Sequence, residues 1–224
     1  MHAHELRMLD VAKLHADEQV DFDIKPAAGM SAGDLVPDLV HGYVSAVRER
    51  DRRLRDRSEE EILRRTSVLT STGEPTLAGL YALGDYPQGR FPALTVTAAV
   101  QLRGGEGQAR NLNLEDFTGP VPVLLEDLMA WVRRNIGTEQ VYRSDGHMDR
   151  RAELPLNAIR ELLANALVHR DLGPDTLGTG KSIQVRLDDR KLLIQSPGGL
   201  RGVSLSQLGR VSHMHREVRG SLVG

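Results

Sequence analysis

Apolar residues along this chain fall into short runs whose spacing changes from helical to alternating near residue 93. Ahead of that point, Gly29 to Gly33 is a breaker cluster. After it, Leu35, Leu39, Val40, Tyr43, Val44 and Val47 recur at the three- and four-residue intervals of one helix face, predicting a long helix over 34–56. Ser58 with Glu61 three residues on has the form of a capping box and opens a helix reaching about Thr66. A turn over Ser71 to Glu74 separates it from a further helix over Thr76 to Leu83. Two short helices joined this way resemble a DNA-reading pair, but TLAGLYAL is nearly all apolar and a recognition helix needs polar side chains for base edges. That helix is expected in the core. Residues 1–20 are expected as a short helix.

Beyond this point ALTVTAAVQL, residues 93–102, alternates as a strand does, with a loop over 103–107 and a second strand over 112–117. Pro120 to Ile136 is amphipathic, with Leu124, Leu125, Leu128, Trp131 and Val132 on the face expected to be buried. Two β-like pieces, Gln140 to Ser144 and His147 to Leu154, lead into PLNAIRELLANALVHRDLGPDTLGTGKSIQVRLDDRKLLIQSPGGL. Pro155 stands where a first-turn proline is tolerated. From Leu156 to Val168 nearly every side chain is apolar, which predicts a helix packed on most sides. Asn157, Glu161, Asn165 and His169 interrupt it at intervals of four and so lie along one ridge. A carboxylate and an amide held there need partners, and a bound ligand is one way to supply them. His169 reads as a helix-end residue, and Arg170 with Asp171 as ties from the helix end to the following loop. A polar loop, two short strands and a turn at Pro197 to Gly199 follow. The fold expected is α+β: a mixed or antiparallel sheet with helices on one face, preceded by a small helical connector.

Composition narrows the function classes. With 40% hydrophobic and 27% charged residues, the 224-residue chain can bury the core of one or two domains. The absence of cysteine excludes disulfides and thiol chemistry and fits a reducing compartment. Apolar runs fall well short of the ~20 residues of a membrane span, and the N-terminus, with His4, Glu5, Arg7 and Asp10, lacks a signal-peptide pattern. A cytoplasmic protein without a membrane partner is expected. A net charge of -2 gives no global nucleic-acid footprint. Locally, RERDRRLRDR concentrates six arginines among three acids, read as a solvated helix end with internal ion pairs, phosphate binding being the alternative. His213 and His215 are not expected to form a metal site.

Two motif fragments mislead. HRDL at His169 to Leu172 copies the start of a protein-kinase catalytic loop, but Thr176 stands where that loop needs asparagine, and no DFG, VAIK-like lysine or glycine-rich loop accompanies it. GKS at Gly180 to Ser182 copies the end of a Walker loop, but Asp175 replaces the required first glycine, and a strand-like segment follows where a helix should.

ELLANALVHRD, the strand pair around DDR and the SPGGL turn together resemble the ATPase-like module of RecG-like, Schlafen AlbA-type bacterial transcriptional regulators. That module is a divergent relative of the gyrase, heat-shock chaperone, histidine kinase and MutL superfamily (GHKL, the Bergerat fold). EPTLAGLYALGDYPQGRFPAL, residues 74–94, is similar to a segment preceding the module, and the resemblance covers roughly residues 20–220. It implies a mainly helical connector over 1–90 and an ATPase-like module over 91–224, expected to be incomplete at its C-terminal end. It also implies ATP and Mg²⁺ as cofactors. Glu161 and Asn165 match the E-x-x-x-N box, with Asn165 as the metal ligand and Glu161 orienting or deprotonating the attacking water as the catalytic residue. Ser196, Gly198 and Gly199 fall in the adenine-binding turn. Ser196 replaces the aspartate that reads the adenine amino group, and Leu200 replaces a motif glycine, so a charged acceptor is missing. Hydrolysis is not expected of this chain alone. The resemblance further implies DNA as a partner, through a domain absent from this chain, and a homodimer. A scaffold that keeps the fold without the ligand is the alternative.

Overall fold

The structure, a computed structural model, describes residues 22–103, 109–142, 148–152, 154–178, 180–188 and 191–197. The described part begins with a helical layer. A single 3-10 turn, Ala32–Asp34, precedes helix α1 (Pro37–Arg50), whose proline occupies the first turn. Helices α2 (Glu59–Arg65) and α3 (Leu77–Leu83) follow. Leu35, Val40, Val44, Ile62, Leu63, Val68, Leu69 and Leu83 form one buried cluster among them.

The helix expected over 34–56 is shorter at both ends. At the front, Val36 N–H donates to the Leu83 carbonyl and Leu35 bridges Gly84, so these residues are held extended. At the back, Asp51 breaks the helix. Its carboxylate accepts from Arg53 N–H at 2.8 Å and its carbonyl from Leu54 N–H, offering the backbone a turn in place of a helix. The Ser58 cap forms in half: its hydroxyl accepts from Glu61 N–H at 3.2 Å, while the Glu61 carboxylate pairs with Arg57 and Arg65. Helix α3 is core as expected, with Leu77, Leu80, Tyr81 and Leu83 all buried. It sits so close to the α2–α3 connection that a Cβ on Gly79 would meet the Val68 carbonyl oxygen at 2.2 Å.

A single-turn helix at Pro87–Arg90 and a 3-10 turn at Pro92–Leu94 lead into β1 (Val96–Arg103), so the strand starts after residue 93. Strand β2 (Ala109–Phe117) returns antiparallel, and helix α4 (Val121–Asn135) follows. Then come a two-stranded antiparallel ribbon of β3 (Thr138–Tyr142) and β4 (Met148–Ala152), helix α5 (Leu156–Val168), a single turn at Pro174–Leu177, and strands β5 (Ile183–Leu187) and β6 (Leu192–Gln195). The main sheet runs β2-β1-β5-β6. β1 and β5 are parallel, with Val96 opposite Ile183, and β5 and β6 are antiparallel. The fold is therefore α+β with a mixed sheet. The parallel central pair is joined by a long crossover that carries α4, the ribbon and α5.

Strand alternation sorts the sheet's two faces. Val96 and Ala98 of β1 and Ile183, Val185 and Leu187 of β5 are buried against α3, α4 and α5. Thr97, Gln184 and Arg186, pointing the other way, stay half-buried. From α4, Leu124, Leu128, Met129, Trp131 and Val132 enter this core; Leu125 is only partly buried. One extra residue in β2 bulges the β1–β2 ladder, with Asn113 at φ 48°. The bulge turns the Asn113 carbonyl toward the fully buried Trp131, whose indole N–H donates to it at 3.2 Å. Buried Gln88 ties the helical layer to the β2–α4 corner: its amide donates to the Leu94 and Gly119 carbonyls and accepts from Gly119 N–H.

No helix among the described residues is long and apolar enough to cross a membrane.

Two glycines in helices test the packing in opposite directions. Gly79→Ala forces a methyl into backbone and is expected to cost about 3 kcal/mol, a fall in melting temperature of roughly 6–12 °C. Gly42→Ala, on an exposed face of α1 with nothing within 4 Å of the new Cβ, is expected to stabilise by about 0.5–1 kcal/mol. Thermal melts of the two variants check both signs.

Candidate functional site

Helix α5 places Glu161 and Asn165 one turn apart, and the Asn165 amide NH₂ donates to the Glu161 carboxylate at 3.3 Å. Glu161 is exposed and Asn165 half-buried. With the NH₂ engaged, the amide oxygen is the group left to act as a ligand. At the end of β6, the Ser196 hydroxyl donates to the Ala166 carbonyl at 3.3 Å. The end of β6 is thereby held against α5 one residue from Asn165, so three of the residues singled out in the sequence come together. Gly198 and Gly199 lie outside the described residues, as do His213 and His215.

Helix α5 is not packed on most sides, contrary to its composition. Ile159, Leu163 and Leu167 form the buried stripe. Leu162 and Val168 are 57% and 65% exposed. Four-residue spacing turned toward the sheet and α4 accounts for the stripe, and Leu162 and Val168, off that stripe, are left on the surface. His169 ends the helix as expected: it is the C-cap, and its N–H donates to the Asn165 carbonyl.

A second concentration of polar groups lies just past that end. Arg170 is 4% exposed. Its Nη2 donates to the Ala93 carbonyl, ahead of β1, and to the Lys181 carbonyl, ahead of β5, the latter at 2.8 Å. Asp171, also buried, accepts from Gly173 N–H at 2.8 Å and so shapes the loop, and the Thr176 hydroxyl donates to the Asp171 and Gly173 carbonyls. The pair does tie the helix end to the loop, and it also holds the lead-ins of both central strands.

Two residues join this centre from far along the chain. The buried Tyr81 hydroxyl is pushed up to about 12 by burial, which the nearby Arg170 charge partly offsets. Burial pulls the Arg170 guanidinium down, opposed first by Tyr81 and then by Asp171. Tyr81 and Arg170 act on each other through charge and side-chain contact, though neither the Tyr81 hydroxyl nor Arg170 Nε or Nη1 meets the geometry of a regular hydrogen bond among the described residues. Asp23 is raised from 3.8 to about 6, by burial first and by the Asp171 charge second, and its buried Oδ1 has no hydrogen-bond partner either. Sequence reasoning found Arg170 and Asp171 but missed Tyr81 and Asp23. The one available signal was an Arg-Asp pair at the end of an apolar helix and followed by Leu172, a setting in which charges need partners from elsewhere.

Among the described residues no group of three or more His, Cys, Asp or Glu side chains could hold a metal by itself. The Asn165 amide oxygen is of the hard oxygen type that suits a sparser role, since Mg²⁺ takes as few as one or two protein oxygens and draws the rest of its shell from other ligands and water.

The chain matches no family model and no curated protein sequence. It is similar in fold to the crystal structure of the DIP2311 protein from Corynebacterium diphtheriae, with a TM-score of 0.55 and 21% identity over 81% of this chain. The match spans 34% of that protein, about a third of its length.

The Asp23 carboxyl makes stability depend on pH. Its native value lies above 3.8, so between 3.8 and about 6 the folded chain holds more protons than the unfolded one. Its contribution to stability is therefore present at low pH and lost as pH rises through about 6. Asp23→Asn is expected to raise stability at pH 7.5 by ~1 kcal/mol, a value discounted for partial solvent screening, and to give no gain at pH 4. Chemical denaturation of both proteins at the two pH values checks this; an equal difference at both contradicts it.

Proposed function

We propose that this chain is the ATP-binding regulatory module of a RecG-like, Schlafen AlbA-type bacterial transcriptional regulator, built on a divergent GHKL layer. The observation that supports this reading is the Ser196 hydroxyl bonded to the Ala166 carbonyl, which holds the end of β6 against the helix that carries Glu161 and Asn165. A helix bearing an acid and an amide one turn apart, with a strand end held against it, is what this resemblance requires of the described residues.

In this reading the Asn165 amide oxygen is a ligand to Mg²⁺ on the nucleotide phosphates. Bound Mg²⁺ would neutralise phosphate charge there. The Glu161 carboxylate holds the Asn165 NH₂, which leaves the amide oxygen as the ligand group, and the same carboxylate would orient a water. Ser196 would border the base, a role the resemblance extends to Gly198 and Gly199, which lie outside the described residues. Ser196 spends its proton on the helix backbone and offers only lone pairs, a weaker acceptor than a carboxylate for an adenine amino group. Binding without appreciable turnover suits a regulatory module, in which nucleotide occupancy alters contacts with a DNA-binding domain outside this chain or with a second subunit. A cytoplasmic setting belongs to the same reading.

One observation favours a second reading, a scaffold without ligand: Leu162 and Val168 expose apolar surface on the helix that carries the pair. Melting curves with ATP, ATP plus Mg²⁺, and ATP plus a chelator separate the two. At about a hundred times the dissociation constant, Mg²⁺-ATP should stabilise by ~2.7 kcal/mol, a rise of roughly 5–10 °C. Asn165→Ala should lose the Mg²⁺-dependent part, while Glu161→Gln, which keeps a partner for the amide, should retain it. No shift in the wild-type protein sinks the nucleotide reading.

A further inference from the structure

The ten residues from Arg48 to Arg57 hold six arginines, no lysine and three acids, a net +3 in a chain whose overall charge is -2. The internal ion pairs that such a run suggests are scarce. Arg57 pairs with Glu61, and Arg48 donates to the Arg57 carbonyl at 3.0 Å. Arg50, Arg52, Arg53 and Arg55 are exposed, and their guanidinium groups make no ion pair or hydrogen bond among the described residues. The neighbouring helix behaves differently: on α2, Arg64 and Arg65 are each matched to a glutamate one turn earlier, at 2.7 and 3.0 Å.

The segment carrying the unmatched arginines is firmly built. Asp51 fixes its first turn through Arg53 N–H, Leu54 N–H returns to the Asp51 carbonyl, and Arg57 N–H returns to the Leu54 carbonyl. Leu54 packs into the helical cluster. The Arg48 bond to the Arg57 carbonyl closes the far end against α1. A backbone pinned at three points therefore displays four solvated guanidinium groups.

We propose that this turn, with Arg50 beside it, is a contact surface for the phosphate backbone of a nucleic acid. Guanidinium groups bind phosphate oxygens through paired N–H donors and shed water more readily than ammonium groups, so arginine without lysine suits this target. A membrane surface fits less well, because none of the large exposed apolar residues lies in this segment and an interfacial anchor needs one. An acidic protein partner would likewise lack an apolar centre to bury. A backbone contact needs only charge at the right places. Arg52, Arg53 and Arg55 stand on a turn and Arg50 on the last residue of α1, so no helix face carries the group to base edges and the contact is expected to be independent of sequence. The surface shares no residue with the nucleotide site, and either can fail without the other.

Fluorescence anisotropy of a labelled duplex of about 20 base pairs, measured from 50 to 200 mM salt on the full chain, tests the proposal. Four phosphates neutralised predict a slope of log affinity against log salt of about -3 to -4. The combined Arg50→Gln, Arg52→Gln, Arg53→Gln and Arg55→Gln variant should bind at least tenfold more weakly with a flatter slope. Its melting temperature should stay within about 2 °C of wild type, as expected for surface changes. A charge-matched control, changing Arg64, Arg65, Arg133 and Arg134 to Gln, should stay within about threefold of wild type in affinity and so exclude a net-charge effect. No wild-type binding at 50 mM salt, equal loss in the two variants, or binding to phosphatidylserine vesicles in place of the duplex each overturns it.

Discussion

Much of this architecture converges on one buried guanidinium. Arg170 stands at the end of α5 and reaches the carbonyls of Ala93 and Lys181, the lead-ins to β1 and β5. Those strands form the parallel pair at the centre of the main sheet. One side chain thus links the helix bearing the Glu161–Asn165 pair to the start of both strands, so the position of the candidate site relative to the sheet depends on it. Burying a charge is costly unless carbonyls or counter-charges surround it, and the two carbonyls and Asp171 supply part of that surrounding. The remaining donors face a centre that also includes Tyr81, while Asp23 stands beside Asp171. Segments distant in sequence are held there by electrostatics as well as apolar contact.

The sequence made the elements legible where a single period persisted. Helix α4 and strand β5 follow their three-to-four and two-residue spacings, and the Ser58 cap marks where α2 starts. The end of α1 was not legible, because apolar spacing does not register the local hydrogen bonds that Asp51 offers. Nor was the exposed side of α5, since apolar content says nothing about how many sides have neighbours. The pairing of β1 with β5 is set by contacts far apart in sequence, which no local pattern encodes. In the candidate site, the four-residue interval was enough to join Glu161 to Asn165. Only the resemblance singles out Ser196, and its bond to Ala166, like the contribution of Asp23 and Tyr81, required three dimensions.

Arginine serves two opposed purposes in this chain. At Arg170 the planar fork is taken out of water to bridge strand lead-ins, where a flexible ammonium would not span two carbonyls with the same geometry. Around Asp51 the fork is left in water while the backbone beneath it is fixed. The same side-chain chemistry acts inside as a rivet and outside as a solvated positive charge, and burial alone separates the two.

The long crossover between β1 and β5 has a consequence for how the chain is made. On a ribosome, β1 can pair with β2 at once, but its other edge has no partner until Ile183 emerges, about ninety residues after Val96. At 5–20 residues per second that edge waits roughly five to twenty seconds. During this interval an unpaired strand edge with apolar Ala98 and Val100 on its core-facing side is open to another chain doing the same. The nascent polypeptide therefore has reason to keep α4 folded over β1 early, as a temporary cover for a surface that β5 and β6 complete.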